Sequence, residues 1–265
     1  MRLRIQHTTR YIYDAPVSYG LQQVRLTPCS SRHQTVHDWN VTILGAATEL
    51  EFEDQYQNKT LLVKADAGAT EVSVDVMGEV ETHTSDGIFG KVYGTAPLWH
   101  FGQSTPRTKA GRHVRKLAKT VLKSPDTLNG LHALSRAIIE AAPYSTTGTD
   151  AGTTVEEALT AGVGVCQDHA QIFASAARVA GIPARYVSGY LMMNDCIDQD
   201  ASHAWAEAHI DGLGWVGFDV SNGICPDERY VRLATGLDSR DASPITGVRL
   251  GSANESMIVT LQVQQ

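Results

Sequence analysis

The segment GVGVCQDHAQIF, Gly162–Phe173, places Cys166 where a glycine-containing loop passes into an alanine-rich helix. The thiolate is the reactive form of cysteine. Unpaired N–H groups and the helix dipole favour negative charge at a helix start. Gly162 and Gly164 allow a close backbone approach there, and such a loop can aim an N–H at a developing oxyanion. A thiol nucleophile needs a base, and the base needs a group to orient it. His203 opens a predicted strand, HAWAEAHI, and Asp219 lies on the next, WVGFDV. The turn between them decides whether the two side chains meet, because residues of one parity share a strand face. A three-residue loop, Asp211–Leu213, pairs Ile210 with Gly214 and sets Asp219 opposite Trp205, diagonal to His203. A two-residue loop turns Asp219 to the other face. The glycines at 212 and 214 favour the three-residue form. In that geometry His203 deprotonates Cys166 and later protonates a leaving amine, while Asp219 holds the imidazole tautomer.

Other residues have plainer explanations. His169 makes a C-x-x-H pair with Cys166, but zinc needs further ligands. Spacing does not single out His209 or Asp168 to supply them, so neither metal nor cofactor is expected. Asp168 fits a first-turn dipole partner or a structural hydrogen-bonder. Cys29, Cys196 and Cys225 fit inert thiols. Trp205 and Trp215 fit packing residues, although Trp205 shares the His203 face and is a candidate for lining the substrate cleft.

These residues must be carried by a folded frame. From the N-terminus to about residue 85, RLRIQHTTRYIYD, VHDWNVTIL, TELEFEDQY, KTLLVKA and TEVSVDVMGEVET read as strands separated by turn residues. Gln57–Lys59 is a predicted hairpin tip. The spacing predicts a small β-sandwich or barrel over 1–85. Helical periodicity then begins, with Val114, Leu117, Ala118, Val121 and Leu122 on one face. A second helix is predicted with Ser124 as its N-cap and Pro125 at its first position. Thr154 and Glu157 form a predicted capping box. The helix after Cys166 runs to about Ala180, with Gly181 at its C-terminal cap and Pro183 beyond. ARYVSGYLM reads as a strand, a polar loop with Asp195, Asp198 and Asp200 follows, and GVRL with SMIVTLQVQ predicts a closing hairpin. Residues 95–265 are therefore expected to form an α+β core that includes a C-terminal β-hairpin.

GVCQDHA, ASHAWAEAHIDGLGWVGFDVSNG and the strand ARYVSGYL together resemble the transglutaminase-like superfamily. The likeness is closest to bacterial transglutaminase-like cysteine peptidases with an N-terminal β domain. It extends to YVRLATGLDSRDASPITGVRLG and is densest from Tyr144 to Gly223. The resemblance implies a papain-like core fold, a Cys166–His203–Asp219 triad and acyl transfer at amide bonds through a thioester. Tyr144, in APYSTTGT, aligns with an aromatic position of the family and is the side-chain candidate for the oxyanion or substrate site. Papain's relatives place an oxyanion glutamine six residues before the cysteine, where this chain has Thr160. The chain also departs from the family at His169, at Val220 and at GLDS, Gly236–Ser239.

Composition limits the partners. Net charge is −7 and the isoelectric point is near 5.8. That balance argues against nucleic acid, and RTKAGRHVRKLAK, Arg107–Lys119, fits the solvated face of a helix. No apolar run has the roughly 18 residues of a membrane span. The alternating MRLRIQHTTRYIYD does not fit a signal peptide, so a cytoplasmic location is expected. The expected partner is a peptide or protein substrate. The leading expectation is a cysteine peptidase or amidase. The alternatives are a protein-glutamine transglutaminase, in which an amine resolves the thioester, and a non-catalytic interaction module on the same fold.

Overall fold

Alternation in RLRIQHTTRYIY makes β1 (Arg2–Tyr13) two-faced. Leu3, Ile5, Tyr11 and Tyr13 turn inward, while Arg2 and Arg10 face outward and pair with Glu79 and Glu71. The computed structural model describes residues 1–91, 95–193, 197–251 and 254–265. Five further long strands follow: β2 (Tyr19–Thr27), β3 (Gln34–Leu44), β4 (Ala46–Glu53), β5 (Lys59–Ala65) and β6 (Glu71–Thr82). The loop between β4 and β5 carries Gln57 at a φ of 64°, and Glu53 faces Lys59 across it. A short strand β7 (Ile88–Gly90) leads into four helices: α1 (Arg112–Leu122), α2 (Thr127–Ala141), α3 (Val155–Ala161) and α4 (Cys166–Val179). The chain closes with β8 (Ala184–Leu191), β9 (Asp198–Gln199), β10 (His203–Ile210), β11 (Gly214–Phe218), β12 (Tyr230–Gly236), β13 (Ile245–Leu250) and β14 (Glu255–Gln264). Among the described residues no helix is long and apolar enough to cross a membrane.

Three sheets result, with orders β3-β6-β1-β14-β9, β13-β2-β5-β4 and β12-β8-β10-β11-β7. The first two share one core, in which Leu3, Ile5, Val24, Leu26, Val63 and Val76 meet. Tyr190 of β8 and Val231 of β12 also enter it, so the third sheet is anchored to the strand-rich region. On the other side of the third sheet lies α4. Its Ala170, Ala174 and Ala177 pack in one cluster with Ala204, Ala206 and Ala208 of β10. Small residues on both surfaces let helix and strand approach closely, and Phe173 stacks on Phe218 at 4.8 Å between centroids. The architecture is α+β, as expected. The exposed Arg112, Arg115, Lys116 and Lys119 make the basic stretch the solvated face of α1.

Two local expectations need correction. β13 and β14 do not form a hairpin. β13 pairs with β2 and β14 pairs with β1, so the C-terminus completes the N-terminal sheets and is no hairpin appended to the helical core. Leu261 and Val263 are buried in that shared core, and this long-range burial decides the pairing. The N-cap of α2 is Asp126, whose side chain accepts from Asn129 N at 3.1 Å. Ser124 Oγ instead donates to Asp126 O at 2.8 Å, in the turn before the helix. Asx and Ser side chains compete for such positions, and here the later one caps. The capping box of α3 is present, with Thr154 N donating to Glu157 Oε2 at 2.9 Å and Glu157 N to Thr154 Oγ1 at 3.4 Å.

Candidate active site

Cys166 is the first residue of α4 and is partly buried. Two devices hold the turn before it. Gly162 caps α3 at a φ of 70°, a left-handed conformation that favours glycine. Asp168 Oδ2 accepts from Val165 N at 2.9 Å and from Thr149 Oγ1 at 2.8 Å, so a buried carboxylate ties the loop to the helix it enters. A Cβ at Gly164 would sit 2.9 Å from Asp168 Cβ, which explains the glycine there. Burial pushes the Asp168 carboxyl up, against the hydrogen bonds from Val165 and Thr149. The expectation of a structural hydrogen-bonder matches this geometry.

His203 opens β10, in the centre of the third sheet. The β10–β11 register is the one expected for the three-residue loop, with Ile210 opposite Gly214 and Ala206 opposite Phe218. Gly212 and Gly214 have φ values of 85° and 81°, consistent with the turn chemistry. Asp219 follows directly after β11, bridged to Ile224, and its carboxylate reaches His203. His203 Nε2 donates to Asp219 Oδ2 at 2.7 Å.

Asp219 has no solvent exposure, and its charge is fully answered. Oδ2 also accepts from Asn222 Nδ2 and from Tyr230 OH, each at 2.7 Å, and Oδ1 accepts from Asn222 N at 3.2 Å. Burial opposes ionisation of Asp219, yet the bonds from His203, Asn222 and Tyr230 hold its carboxyl below the usual range. For His203 burial opposes the charged form, but hydrogen bonding to Asp219, then hydrogen bonding and charge from Cys166, raise its pKa to about 10. With Nε2 committed to Asp219, Nδ1 is the ring nitrogen left for the thiol.

Cys166, His203 and Tyr144 border one cleft of about 530 Å³. Tyr144 lies in a parallel bridge with Gly164 and is 54% exposed. Burial, then the charges of Cys166 and Asp219, raise its phenol pKa. Gln167, Ser188, Gln199 and Ser239 form other parts of the wall. Ser239 belongs to the GLDS block and receives a bond from Arg107 Nη1 at 3.0 Å. Thr160, in contrast, is an exposed residue of α3 that donates to Glu156 O, and it is not part of the cleft.

Trp205 does not line the cleft, so its candidacy for the substrate wall is corrected and it is the packing residue that its type suggested. It is 1% exposed and packs with Val187, Leu191 and Tyr230. Its ring lies 6.5 Å from His203 and 5.5 Å from Tyr230 between centroids. The shared face of β10 is covered beyond His203, so Trp205 backs the imidazole from inside. His169 is also structural. Its Nε2 donates to Ala142 O at 2.8 Å and its Nδ1 accepts from Ser221 Oγ at 2.8 Å, so both ring nitrogens are occupied. Burial lowers its pKa and favours this neutral form. His169 thereby joins α4 to the turn that carries Asp219. Among the described residues no three His, Cys, Asp or Glu side chains gather as a metal site. Of the remaining cysteines, Cys29 and Cys225 are free thiols. Asp195 and Cys196 lie outside the described residues.

Asn222 and Tyr230 escaped the sequence reading. Asn222 had a local signal, since DVSN places it three residues after Asp219 in a turn-forming stretch. Tyr230 had none, because only the pairing of β12 with β8 brings it to Asp219.

Comparison with known proteins bears on the family and the fold. Residues 115–220 match the family model of the transglutaminase-like superfamily, and residues 3–81 match the bacterial transglutaminase-like N-terminal region. An uncharacterized protein of Mycobacterium leprae is 28% identical over 99% of this chain and 98% of its own length. An uncharacterized protein of Mycobacterium tuberculosis is 34% identical over 43% of this chain and 40% of its own. The crystal structure of a candidate cysteine protease from Cytophaga hutchinsonii superposes with a TM-score of 0.79. It covers 100% of this chain and 91% of that one at 21% identity, a likeness of fold. With its core and its N-terminal region both matched, the chain belongs to the transglutaminase-like superfamily, in the arrangement that carries a bacterial transglutaminase-like N-terminal region.

Proposed function

We propose that this protein is a thiol-dependent acyl-transfer enzyme acting on peptide or side-chain amide bonds, with hydrolysis as its outcome. One observation carries the reading. Cys166 stands at a helix start beside an imidazole whose other nitrogen is bonded to a buried, fully hydrogen-bonded carboxylate.

In this reading His203 Nδ1 takes the Cys166 proton and Sγ attacks the amide carbonyl carbon. Asp219 stabilises the imidazolium that results. Backbone N–H groups in the first turn of α4 have no helical partner and are the donors for the tetrahedral oxyanion. Tyr144 borders the same cleft and contributes to the oxyanion or substrate subsite. Collapse of the intermediate breaks the C–N bond, the amine leaves with the proton from His203, and a Cys166 thioester remains. A water molecule then attacks this thioester and gives its proton to His203. The C–S bond breaks, the carboxylic acid leaves, and the proton returns to Sγ.

The test is turnover of a peptide library by wild type and Cys166→Ala, read by mass spectrometry, with a labelled amine and a glutamine peptide in a parallel reaction. Hydrolytic products present with wild type and absent with Cys166→Ala are expected. Incorporation of the amine in place of water would establish the transglutaminase alternative. Equal products from the two proteins would remove Cys166 from the chemistry.

A further inference from the structure

A second cavity, of about 390 Å³, lies beside β8 and β12 and is separate from the Cys166 cleft. Its wall combines Arg185 and Arg232 with Trp215, Phe101, Leu98 and Leu233. Arg185 is only 5% exposed, and its guanidinium lies 3.9 Å from the centroid of the Trp215 ring. One carboxylate serves both arginines. Glu207 Oε2 accepts from Arg185 Nε at 2.6 Å and from Arg232 Nη2 at 3.3 Å. Glu207 is itself fully buried.

The charges in this cluster do not balance, because two guanidinium groups meet one carboxylate. Arg232 Nε has no hydrogen-bond partner among the described residues. A buried donor left without an acceptor costs free energy, and although the Arg232 side chain is 22% exposed, its Nε is buried. The wall adds two hydroxyls. Ser30 Oγ and Ser31 Oγ accept backbone N–H groups from Val36 and His33, which leaves their own O–H groups free to donate. The carbonyl and amide of Gln34, also on the wall, are engaged by Arg232 N and by Arg232 O and Cys29 O, so they do not answer the excess. An acceptor carrying one negative charge would balance the cluster, and the aromatic and aliphatic wall would cover an apolar body attached to it.

We propose that this cavity is a binding site for a small monocarboxylate with an apolar body, held by Arg232 and Arg185 over the Trp215 side of the third sheet. The carboxylate oxygens accept from the guanidinium groups and the serine hydroxyls. The site is distinct from the cleft. Glu207 and His203 share a face of β10 but are four residues apart, about 13 Å at the usual rise per residue.

The test is thermal unfolding of the full chain titrated with propionate and with benzoate, against sodium chloride at equal ionic strength and against inorganic phosphate. The variant is Arg232→Met, which leaves Arg185 and Glu207 as a balanced pair. A cooperative thermal transition and an unchanged far-ultraviolet circular dichroism spectrum confirm that the variant is folded. A saturable rise in melting temperature with a carboxylate, absent with chloride and weakened at least tenfold in apparent affinity by Arg232→Met, is expected. A second variant, Leu98→Trp, adds bulk at an exposed wall position away from the charges and is expected to weaken benzoate more than propionate. The proposal is overturned by three results. They are a carboxylate effect that chloride reproduces, binding of phosphate alone, and carboxylate binding that Arg232→Met leaves unchanged.

Discussion

Two buried charged clusters sit on the same sheet and are built on opposite principles. Around Asp219 every oxygen is used, by His203, Asn222 and Tyr230. Around Glu207 two guanidinium groups share one carboxylate, while Arg232 Nε meets no hydrogen-bond partner among the described residues. The first cluster immobilises the His203 imidazole beside the Cys166 thiol. The second holds unspent donors against a cavity. A saturated buried network fixes what it contains, whereas an unsaturated one carries the cost of the bonds it does not make.

The comparison breaks most sharply if the two clusters are disabled separately. Asp219→Asn keeps the size of the side chain but removes the charge that stabilises the imidazolium. The rate of Cys166 acylation by a peptide substrate is expected to fall by about 10²–10⁴-fold. Circular dichroism should show a folded protein, and a variant that retains wild-type turnover would separate Asp219 from the chemistry. Arg185→Met should do the reverse. It weakens the compensation of buried Glu207, so urea denaturation should show a loss of about 3 kcal/mol. Below that transition, alkylation of Cys166 should keep its wild-type rate.

The pH dependence sharpens the contrast. His203 has a folded pKa of about 10, above its ordinary value of 6.5. Its contribution to stability is therefore fully present below pH 6.5 and is lost as the pH rises through about 10. Asp219 has the opposite sign, because its folded pKa is lowered. Its contribution is present above the ordinary carboxylate range and fades as the pH falls through the folded value. Denaturation of wild type and His203→Gln at pH 6 and pH 10.5 should show the larger difference at pH 6. An equal difference at both would contradict a charged His203. The smallest effect is expected for Tyr230→Phe, which removes one of several bonds to Asp219. A stability loss of about 1.5–3 kcal/mol and a turnover loss of about tenfold should follow, with Cys166 still alkylated. Unaltered turnover would make the Tyr230 hydroxyl a purely structural partner.

What lay open in the sequence was local. Thr154 and Glu157 announce the start of α3 because a capping box closes within four residues. Gly181, at a φ of 83°, marks the end of α4 because few other residues adopt that conformation without strain. The alternation of β10 and β11 and the glycines between them determine the register, and with it the meeting of His203 and Asp219. The tertiary structure decided what depends on distant neighbours. Trp205 has the same parity as His203, yet it is buried because β8 and β12 bring Val187 and Tyr230 over it. GVRL and SMIVTLQVQ look like two arms of a hairpin, but the apolar residues of β14 find a better-covered place beside β1. Arg185 and Glu207 meet because β8 and β10 pair, and the pairing of β12 with β8 brings Arg232 to the same carboxylate. Turns and caps are closed by neighbours in the chain, so their residues specify them. Burial and charge pairing are closed by partners far along the chain, and those partners meet only after the sheets have assembled.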